Sequence, residues 1–365
     1  MIVVFYFIIL LYCIAIFFLI YGYNKIKTIN YSSLQPTTKF TIIVPFRNES
    51  ENLPVLLESF SNLNYPNELF EVILVDDESR QEFILPTLKY AVKIIQNRRL
   101  SNSPKKDAIT SAMQYVVSDW VVTTDADCMV NKEWLATFDN YIQLHDVSMI
   151  ASAVSYACEN SFLHHFQQLD LTSLQGATIG SFGINKGFMC NGANFAYMKS
   201  LFTKLNGFEG NDKIASGEDV FLLQKAIANF PEKVHYLKSK NTIVITKPID
   251  DWKNLFYQRV RWASKTSSYN SHFGILLGLI VFSGNLILVL GWLFSVIGII
   301  YFKEFIFLLL SKFIVDTILL HKSNSYLNQK RIRYLIASSL LYPFFTVSVA
   351  FYSLVGKYEW KGRSF

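Results

Sequence analysis

Two long stretches without a charged residue constrain the fold of this chain more than any other feature. Residues 2–23 and residues 273–302 contain no Asp, Glu, Lys or Arg. A helix of about 20 apolar residues is long enough to cross a bilayer. A spanning backbone must satisfy its own hydrogen bonds, and a helix does so. Membrane-spanning helices are therefore predicted near both ends of the chain.

Two further apolar runs near the end of the chain extend this prediction. Residues 305–320 form a short run that carries Lys312 and Asp316, and residues 335–355 form a second one. Two or three helices are therefore predicted within 271–356. The remaining segments are predicted to be an anchor at 1–24, a globular domain at 37–250, an amphipathic interfacial helix at 251–270 and a basic tail at 357–365.

Basic residues beside the apolar runs predict the orientation in the membrane. Lys25, Lys27 and Lys39 follow the first run, and the positive-inside rule places such residues in the cytoplasm. We therefore expect a multi-pass integral membrane protein with a cytoplasmic globular domain, at the inner membrane if the cell is bacterial. A cleaved signal peptide is disfavoured because the basic start and the small-residue cleavage site are missing.

The side on which the C-terminus lies stays open. Three C-terminal spans would place the basic loop at 322–333 inside and the tail outside, and two spans would do the reverse.

Charge and cysteine content exclude several classes of function. The chain has 34 Lys and Arg against 28 Asp and Glu, a net charge of +6. Much of the basic excess flanks the apolar runs, which suits an anionic membrane surface. No zinc-finger spacing or arginine-rich tract indicates a nucleic-acid partner. The four cysteines form no C-x-x-C pair, so neither a disulfide framework nor a zinc site is indicated.

The middle of the chain alternates between apolar strands and helical segments. Strands are predicted at 40–45, 70–75, 91–95, 120–122 and 149–155, and helices at 50–60 and 104–117. This alternation predicts an α/β fold with a mostly parallel central sheet. Ligands bind at the carboxyl edge of such sheets, and polar loops follow these strands. No G-x-G-x-x-G after the first strand and no P-loop motif supports a dinucleotide or P-loop site.

The segment Asp125-Ala126-Asp127 directly follows the strand at 120–122. Two carboxylates one residue apart can share Mg²⁺ or Mn²⁺, which typically takes one or two carboxylates plus substrate phosphate oxygens. The alternative is an ordinary strand-ending turn, because Asp is common in turns. Three further polar clusters lie in order along the chain: Asp76-Asp77, Glu218-Asp219 and Gln258-x-x-Arg261-Trp262.

In this order and spacing, the clusters and the apolar ends resemble a family 2 glycosyltransferase that is inverting and membrane-anchored. The resemblance covers about residues 40–265 and the terminal helices. It implies that the domain at 37–250 is a GT-A nucleotide-diphospho-sugar transferase domain, with N-terminal and C-terminal transmembrane helices around it. It also implies a UDP-sugar donor.

The same resemblance implies a role for each cluster. Asp76 or Asp77 would contact the uracil ring, and the loop with Pro45, Arg47 and Glu49 would surround it. Asp125 and Asp127 would hold the metal, and Asp125 and Ala126 would border the nucleotide sugar. The nucleotide would also lie near one of the two lysines of the predicted helix at 104–117, which are Lys105 and Lys106. The alternative for either lysine is solvation of a helix end.

The acceptor side is implied in the same way. Asp219 would be the catalytic base, with Glu218 beside it, although both could simply cap a helix. Gly217 stands where the family has threonine. Gln258, Arg261 and Trp262 would contact the diphosphate and the acceptor, and their alternative role is interfacial anchoring. The acceptor-side loop at 190–194 contributes Asn191 and Gly192.

These observations favour transfer of a sugar from a UDP-sugar to a membrane lipid, by direct displacement with an Asp base and a divalent metal. A processive polysaccharide synthase is the first alternative, because Q-x-x-R-W occurs in both kinds of enzyme. A membrane-tethered nucleotidyltransferase is another, although it would be expected to carry a glycine-rich loop after its first strand. The sequence does not indicate the sugar or the oligomeric state.

Overall fold

A computed structural model describes residues 1–29, 34–211, 217–265, 270–328, 331–355, 359–360 and 363–364. The chain divides into two compact units. Unit 1 comprises Met1–Ile26, Cys158–Phe188 and Pro248–Phe365, and unit 2 comprises Lys27–Ala157 and Met189–Lys247. Residues 158–188, which lie inside the range 37–250 predicted for the catalytic domain, therefore pack in unit 1.

Unit 2 is an α/β unit whose strands and helices alternate along the first part of its sequence. Its strands are β1 (Phe40–Phe46), β2 (Phe70–Asp76), β3 (Ala91–Gln96), β4 (Trp120–Thr123), β5 (Cys128–Met129), β6 (Met149–Ser152), β7 (Val154–Tyr156), β8 (Phe195–Met198), β9 (Val234–Leu237) and β10 (Val244–Thr246). Its helices are α2 (Leu53–Ser61), α3 (Pro104–Met113), α4 (Trp134–Leu144), α6 (Lys199–Lys204) and α7 (Glu218–Asn229).

The central sheet of unit 2 confirms the predicted mostly parallel arrangement. In the described part of the chain it has seven strands in the order β3-β2-β1-β4-β8-β6-β9. Strand β8 runs antiparallel to both of its neighbours, and the other pairs are parallel. A second sheet has the order β5-β10-β7.

The core of unit 2 lies between the sheet and the helices α2 and α4. Trp134 is 0% exposed, and its ring stacks on Phe60 with 6.2 Å between centroids and meets Phe138 edge-on at 5.9 Å. Its Nε1 donates a hydrogen bond to Asn194 Oδ1 at 3.1 Å. The core therefore holds the backbone immediately before β8.

Two parts of this unit differ from the sequence prediction. Helix α4 is not among the predicted helices, and eight of its eleven residues are buried. The strand predicted at 149–155 is divided into β6 and β7 at Ala153, whose carbonyl oxygen accepts hydrogen bonds from Asn194 and from the backbone of Val244. This division moves the chain from the large sheet to the small one.

Unit 1 consists mainly of helices. They are α1 (Ile2–Lys25), α5 (Phe162–Gly183), α8 (Trp252–Ala263), α9 (His272–Val296), α10 (Phe302–Leu327) and α11 (Leu335–Val355). Short segments at Glu359–Trp360 and Arg363–Ser364 pair as β11 and β12. The rest of the predicted tail at 357–365, and residues 266–269 of the predicted interfacial helix, lie outside the described residues.

Among the described residues, three helices are long and apolar enough to cross a membrane: Ile2–Lys25, His272–Val296 and Leu335–Leu354. Helix α10 is not among them and contains Lys312 and Asp316. The Lys312 ammonium lies 2.6 Å from Asp316 Oδ2, and the Tyr12 hydroxyl donates to Asp316 Oδ1 at 2.6 Å. Lys312 and Asp316 are therefore paired with each other inside unit 1.

Candidate active site

The strand order brings the predicted polar loops to one edge of the sheet in unit 2. Strands β2, β1 and β4 are adjacent and parallel, so the loops that follow them leave the sheet at its carboxyl edge. Strand β8 runs the other way, and for this reason the loop at 191–194 before it lies at the same edge. This is the edge where open α/β sheets bind ligands.

Asp77 lies in a cluster of polar side chains after β2. Arg99 holds its carboxylate through two atoms, with Nε 2.8 Å from Oδ1 and Nη2 3.1 Å from Oδ2. Asn97 Nδ2 donates to Asp77 Oδ1 at 2.7 Å and to the Pro104 carbonyl at 3.0 Å. Asn97 therefore connects the carboxylate to the start of α3.

The loop after β1 packs against the loop after β2. Arg47 Nη1 donates to the Asp77 carbonyl at 2.6 Å, and Asp76 Oδ1 accepts the backbone N–H of Ser79 at 3.0 Å. Glu49 Oε2 accepts a hydrogen bond from Asn52 at 2.6 Å, just before α2 begins. Pro45 is part of β1 itself. Asp77 and Arg47 thus belong to one network, whereas the contact of Glu49 is with the start of α2.

Lys105 joins two of the predicted acidic clusters. Its ammonium lies 2.6 Å from Asp125 Oδ1 and 2.9 Å from Glu218 Oε1. Burial disfavours the charge of Lys105, but the nearby carboxylates of Asp125, Glu218 and Asp219 outweigh this effect and raise the pKa of Lys105 well above its usual range. Lys105 therefore remains cationic at neutral pH.

The neighbouring Lys106 points elsewhere. Its side chain is 2% exposed, its Nζ donates to the Asn211 carbonyl at 2.7 Å, and it lies 5.0 Å from the centre of the Phe221 ring. Of the two lysines that the sequence left as alternatives, Lys105 is the one in contact with the acidic clusters.

Asp219 lies at the start of α7 and reaches the loop before β8. Its Oδ2 accepts the backbone N–H of Gly192 at 2.7 Å, and its Oδ1 accepts the N–H of Val220 at 2.8 Å. Gly217 precedes the helix with φ +84°, a left-handed conformation that glycine adopts without strain. That backbone explains why glycine replaces the threonine of the family pattern.

Gly192 allows this close approach because it has no side chain. A Cβ there would lie 3.0 Å from Glu218 Oε1 and 3.3 Å from Asp219 Oδ2. The loop is held in place by Thr123, whose hydroxyl donates to the Gly192 carbonyl at 2.7 Å. Asn194 also holds it, donating to the Ala153 and Thr242 carbonyls at 2.6 Å each. Asn191 lies at the start of the same loop and accepts the N–H of Ala193.

Asp125 and Asp127 are the two carboxylates of the predicted metal site. Both are half-buried, with the buried Ala126 between them. Burial raises the pKa of the adjacent Cys128 thiol, and the carboxylates of Asp127 and Asp125 raise it further. Within the described residues, no group of three or more His, Cys, Asp and Glu could hold a metal. These two carboxylates would therefore share a metal with substrate oxygens or water.

The thiol of Cys190 lies among the same charges. Burial raises its pKa well above the usual range, and Asp219 and Glu218 raise it further. The thiol is therefore protonated at neutral pH, which disfavours a role as a nucleophile.

Gln258, Arg261 and Trp262 lie on α8 in unit 1, and all three are half-buried. Asp251 caps the N-terminus of α8, and its side chain accepts the Asn254 N–H. Arg259, between the named positions of the motif, contacts both Gln258 and Trp262.

Sequence reasoning missed several residues of the site, among them Asn97, Arg99 and Thr123. Each acts through a long-range contact, and none belongs to a motif. Arg99 follows β3, which the sequence did predict as a strand and which the structure places next to β2. The sequence signal that could have indicated Arg99 as a site residue is its position, as a basic residue, shortly after a predicted strand.

Parts of this chain are similar in sequence to known proteins. Residues 41–205 match the model of a family described as Glycosyl transferase family 2. Poly(ribitol-phosphate) beta-N-acetylglucosaminyltransferase TarS of Staphylococcus aureus is 31% identical over 118 residues, 31% of this chain and 20% of that protein. Undecaprenyl-phosphate 4-deoxy-4-formamido-L-arabinose transferase of Pectobacterium carotovorum is 33% identical over 95 residues, 24% of this chain and 28% of that protein. The match thus spans less than a third of either relative.

One solved structure resembles nearly the whole chain. Mannosyltransferase PcManGT from Pyrobaculum calidifontis, in complex with GDP-Man and Mn²⁺, aligns with a TM-score of 0.51 and 14% identity. The alignment covers 95% of this chain and 98% of that one. At this identity the likeness shows the fold, and it confirms the predicted fold class.

Proposed function

Because residues 41–205 belong to glycosyl transferase family 2, we propose that this chain is an inverting glycosyltransferase. In this proposal it moves a sugar from a UDP-sugar to a lipid acceptor in the membrane. The observation that carries the proposal is the position of Lys105 between Asp125 and Glu218. Lys105 thereby joins Asp125, which is expected on the donor side, to Glu218, which precedes the expected base Asp219.

The Asp77 network supports a nucleotide donor. A uracil ring presents one N–H between two carbonyl oxygens, and this pattern complements a carboxylate flanked by guanidinium groups. Arg99 and Asn97 hold the Asp77 carboxylate in one orientation, and Arg47 contacts its backbone. Through Asn97 the same network reaches the start of α3, which carries Lys105. The base and the diphosphate of one donor would then lie along the same sheet edge.

The chemistry follows from the charges of the site. Asp219 accepts the proton of the acceptor hydroxyl or phosphate as the acceptor oxygen forms a bond to the anomeric carbon. The bond between that carbon and the diphosphate oxygen breaks, and UDP leaves with the electron pair. Displacement from the opposite face inverts the configuration. The cationic Lys105 faces the negative charge that develops on the leaving group.

A divalent cation is part of this proposal. Asp125 and Asp127 would hold Mg²⁺ or Mn²⁺, which would neutralise charge on the leaving diphosphate. Lys105 contacts Asp125 directly, so the same carboxylate would be shared between the ammonium and the metal. Glu218, which is 6% exposed, keeps the ammonium in position from the other side.

A phosphate-bearing acceptor in the membrane is supported by two separate observations. Helices long and apolar enough to span a membrane are present among the described residues. The names of the two relatives give undecaprenyl phosphate and poly(ribitol-phosphate) as acceptors. We propose the lipid, with Asn191, Gly192, Gln258, Arg261 and Trp262 on the acceptor and diphosphate side, and with unit 2 in the cytoplasm. A polymeric acceptor is the second candidate, favoured by the poly(ribitol-phosphate) relative.

A donor and acceptor screen tests the proposal. The full chain in nanodiscs is incubated with UDP- and GDP-sugars, Mn²⁺ or Mg²⁺, and either polyprenyl phosphate or a membrane lipid extract. Mass spectrometry is expected to show one hexose-type increment on a lipid from a UDP-sugar. A ladder of increments would indicate the polymer-forming alternative. Absence of transfer from every nucleotide sugar would contradict the proposal.

A further inference from the structure

Arg259 is a residue that the Q-x-x-R-W motif leaves unspecified, yet it contacts two of the specified ones. The whole residue is 6% exposed. Its Nη1 donates a hydrogen bond to Gln258 Oε1, and its guanidinium carbon lies 4.3 Å from the centre of the Trp262 ring. A guanidinium over an indole is an attractive arrangement. One buried group therefore fixes side chains on both sides of it.

Asp170 on α5 holds Arg259 in turn. Arg259 Nε lies 2.5 Å from Asp170 Oδ2, and each side chain is 7% exposed. The Tyr342 hydroxyl of α11 donates to Asp170 Oδ1 at 3.1 Å. Both oxygens of the buried Asp170 carboxylate therefore have partners, which reduces the cost of burying its charge. Helices α5, α8 and α11 thus meet at one carboxylate.

The charges around this carboxylate balance. Tyr342 also faces Lys312, with 5.9 Å from the ammonium to the ring centre. Lys312 is paired with Asp316, which accepts the Tyr12 hydroxyl. The cluster contains one Asp–Arg pair and one Asp–Lys pair, so its net charge is zero. Such a cluster is suited to holding helices in place rather than to binding an ionic ligand.

We propose that Asp170 is a positioning residue for sugar transfer, acting through Arg259 on Gln258 and Trp262. This inference rests on the proposed function, in which these two side chains lie on the acceptor and diphosphate side. Gln258 and Trp262 are half-buried, and without Arg259 each would have several rotamers available. Holding reactive partners in one geometry is a large part of catalysis, and a displacement of about 1 Å can reduce a rate about 100-fold.

The decisive variant replaces both partners, as Asp170→Leu with Arg259→Met. A single substitution would leave a buried charge without its partner and would strongly destabilise unit 1. Exchange of a buried ion pair for apolar residues of similar size is often neutral for stability. Because the double variant also removes the hydrogen bond from Tyr342 to Asp170, its thermal midpoint in detergent is expected to lie only slightly below that of the wild-type chain. Its kcat/KM for the acceptor is expected to fall by about 10- to 100-fold.

A readout that does not depend on activity accompanies the kinetics. The full chain is labelled with 5-fluorotryptophan, and the Trp262 resonance in the fluorine NMR spectrum is assigned with Trp262→Phe. In the double variant this resonance is expected to shift or broaden, whereas those of Trp120 and Trp134 in unit 2 stay unchanged.

The outcomes separate this inference from the proposed function. An unchanged Trp262 resonance, or a double variant with the kcat/KM of the wild-type chain, overturns the positioning role. A shifted Trp262 resonance supports the positioning of the tryptophan even if the wild-type chain transfers no sugar. In that case the proposed function would be the part that fails.

Discussion

At the scale of single residues, the candidate site is organised by contacts between charged groups and backbone. Asp219 accepts two backbone N–H groups, and one of them belongs to a glycine that could not carry a Cβ without crowding the acids. Lys105 contacts carboxylates from two separate loops. Position, more than residue type, therefore distinguishes Asp219 and Lys105 from the other acids and lysines of unit 2.

Asp219→Asn is expected to reduce kcat by about 10²- to 10⁴-fold, the usual range for loss of a general base. The amide oxygen of Asn can still accept the Gly192 N–H, whereas the Val220 N–H loses its side-chain acceptor. The fold of unit 2 is therefore expected to be kept, with a small loss of stability. UDP affinity, measured by calorimetry, should be unchanged. Asp119→Asn, at an exposed acid of the same unit, serves as the control. Transfer at a wild-type rate by the Asp219 variant would exclude Asp219 as the base.

Lys105→Met is expected to act on metal binding and on transfer in opposite directions. Removing the ammonium beside Asp125 leaves more negative charge for a cation, so the Kd for Mn²⁺ without nucleotide should fall about tenfold. Transfer should slow, because a cation facing the leaving diphosphate is lost. Electron paramagnetic resonance of Mn²⁺ measures the first effect. Lys132→Met, at an exposed lysine, is the control, and equal Mn²⁺ affinity in both variants would contradict the assignment.

At the scale of secondary-structure elements, glycines let α1 and α5 of unit 1 approach closely. A Cβ at Gly180 would collide with the Leu19 carbonyl, and Cβ atoms at Gly22 and Gly183 would collide with carbonyls of the opposite helix. Small residues that allow backbones to approach are typical of helix pairs in membranes. Helix α5 carries Asp170 as well, so its packing and the proposed positioning role depend on the same element.

Gly180→Ala is expected to lower the thermal midpoint in detergent, because overpacking of this kind costs about 1–3 kcal/mol. Gly291→Ala is a matched control in α9. A Cβ there would lie 3.4 Å from Phe305, an ordinary contact, and alanine favours a helix over glycine by about 1 kcal/mol. The control should therefore be neutral or slightly stabilising. Equal midpoints for the two variants would show that the α1–α5 contact is looser than described.

At the scale of the whole molecule, α1 is an integral part of unit 1. It buries residues along its length, and Tyr12 reaches the charged pair of α10. The sequence predicted this helix as an anchor, a role that needs no contact with the rest of the chain. The contacts of unit 1 show that the same helix also covers polar and apolar groups of other helices.

Deletion of residues 1–26 is accordingly expected to destabilise unit 1 rather than to release a folded soluble enzyme. Loss of Tyr12 leaves Asp316 with one fewer hydrogen bond, and the apolar contacts of α9 and α10 with α1 are lost. Thermal unfolding in detergent should show a lower midpoint than the full chain. A truncated chain that is monodisperse without detergent and unfolds at the wild-type temperature would show that α1 is a detachable anchor.

The sequence by itself determined the fold class, the apolar helices at both ends and the resemblance to glycosyl transferase family 2. Each of these follows from periodicity, uncharged length or short motifs, which are local properties of the chain. Tertiary structure alone decided which lysine meets the acids, that Arg99 holds Asp77, and that Asp170 reaches Arg259. The partners of these contacts lie 20 to about 110 positions apart in sequence, and the strand order and helix packing that bring them together leave no local pattern.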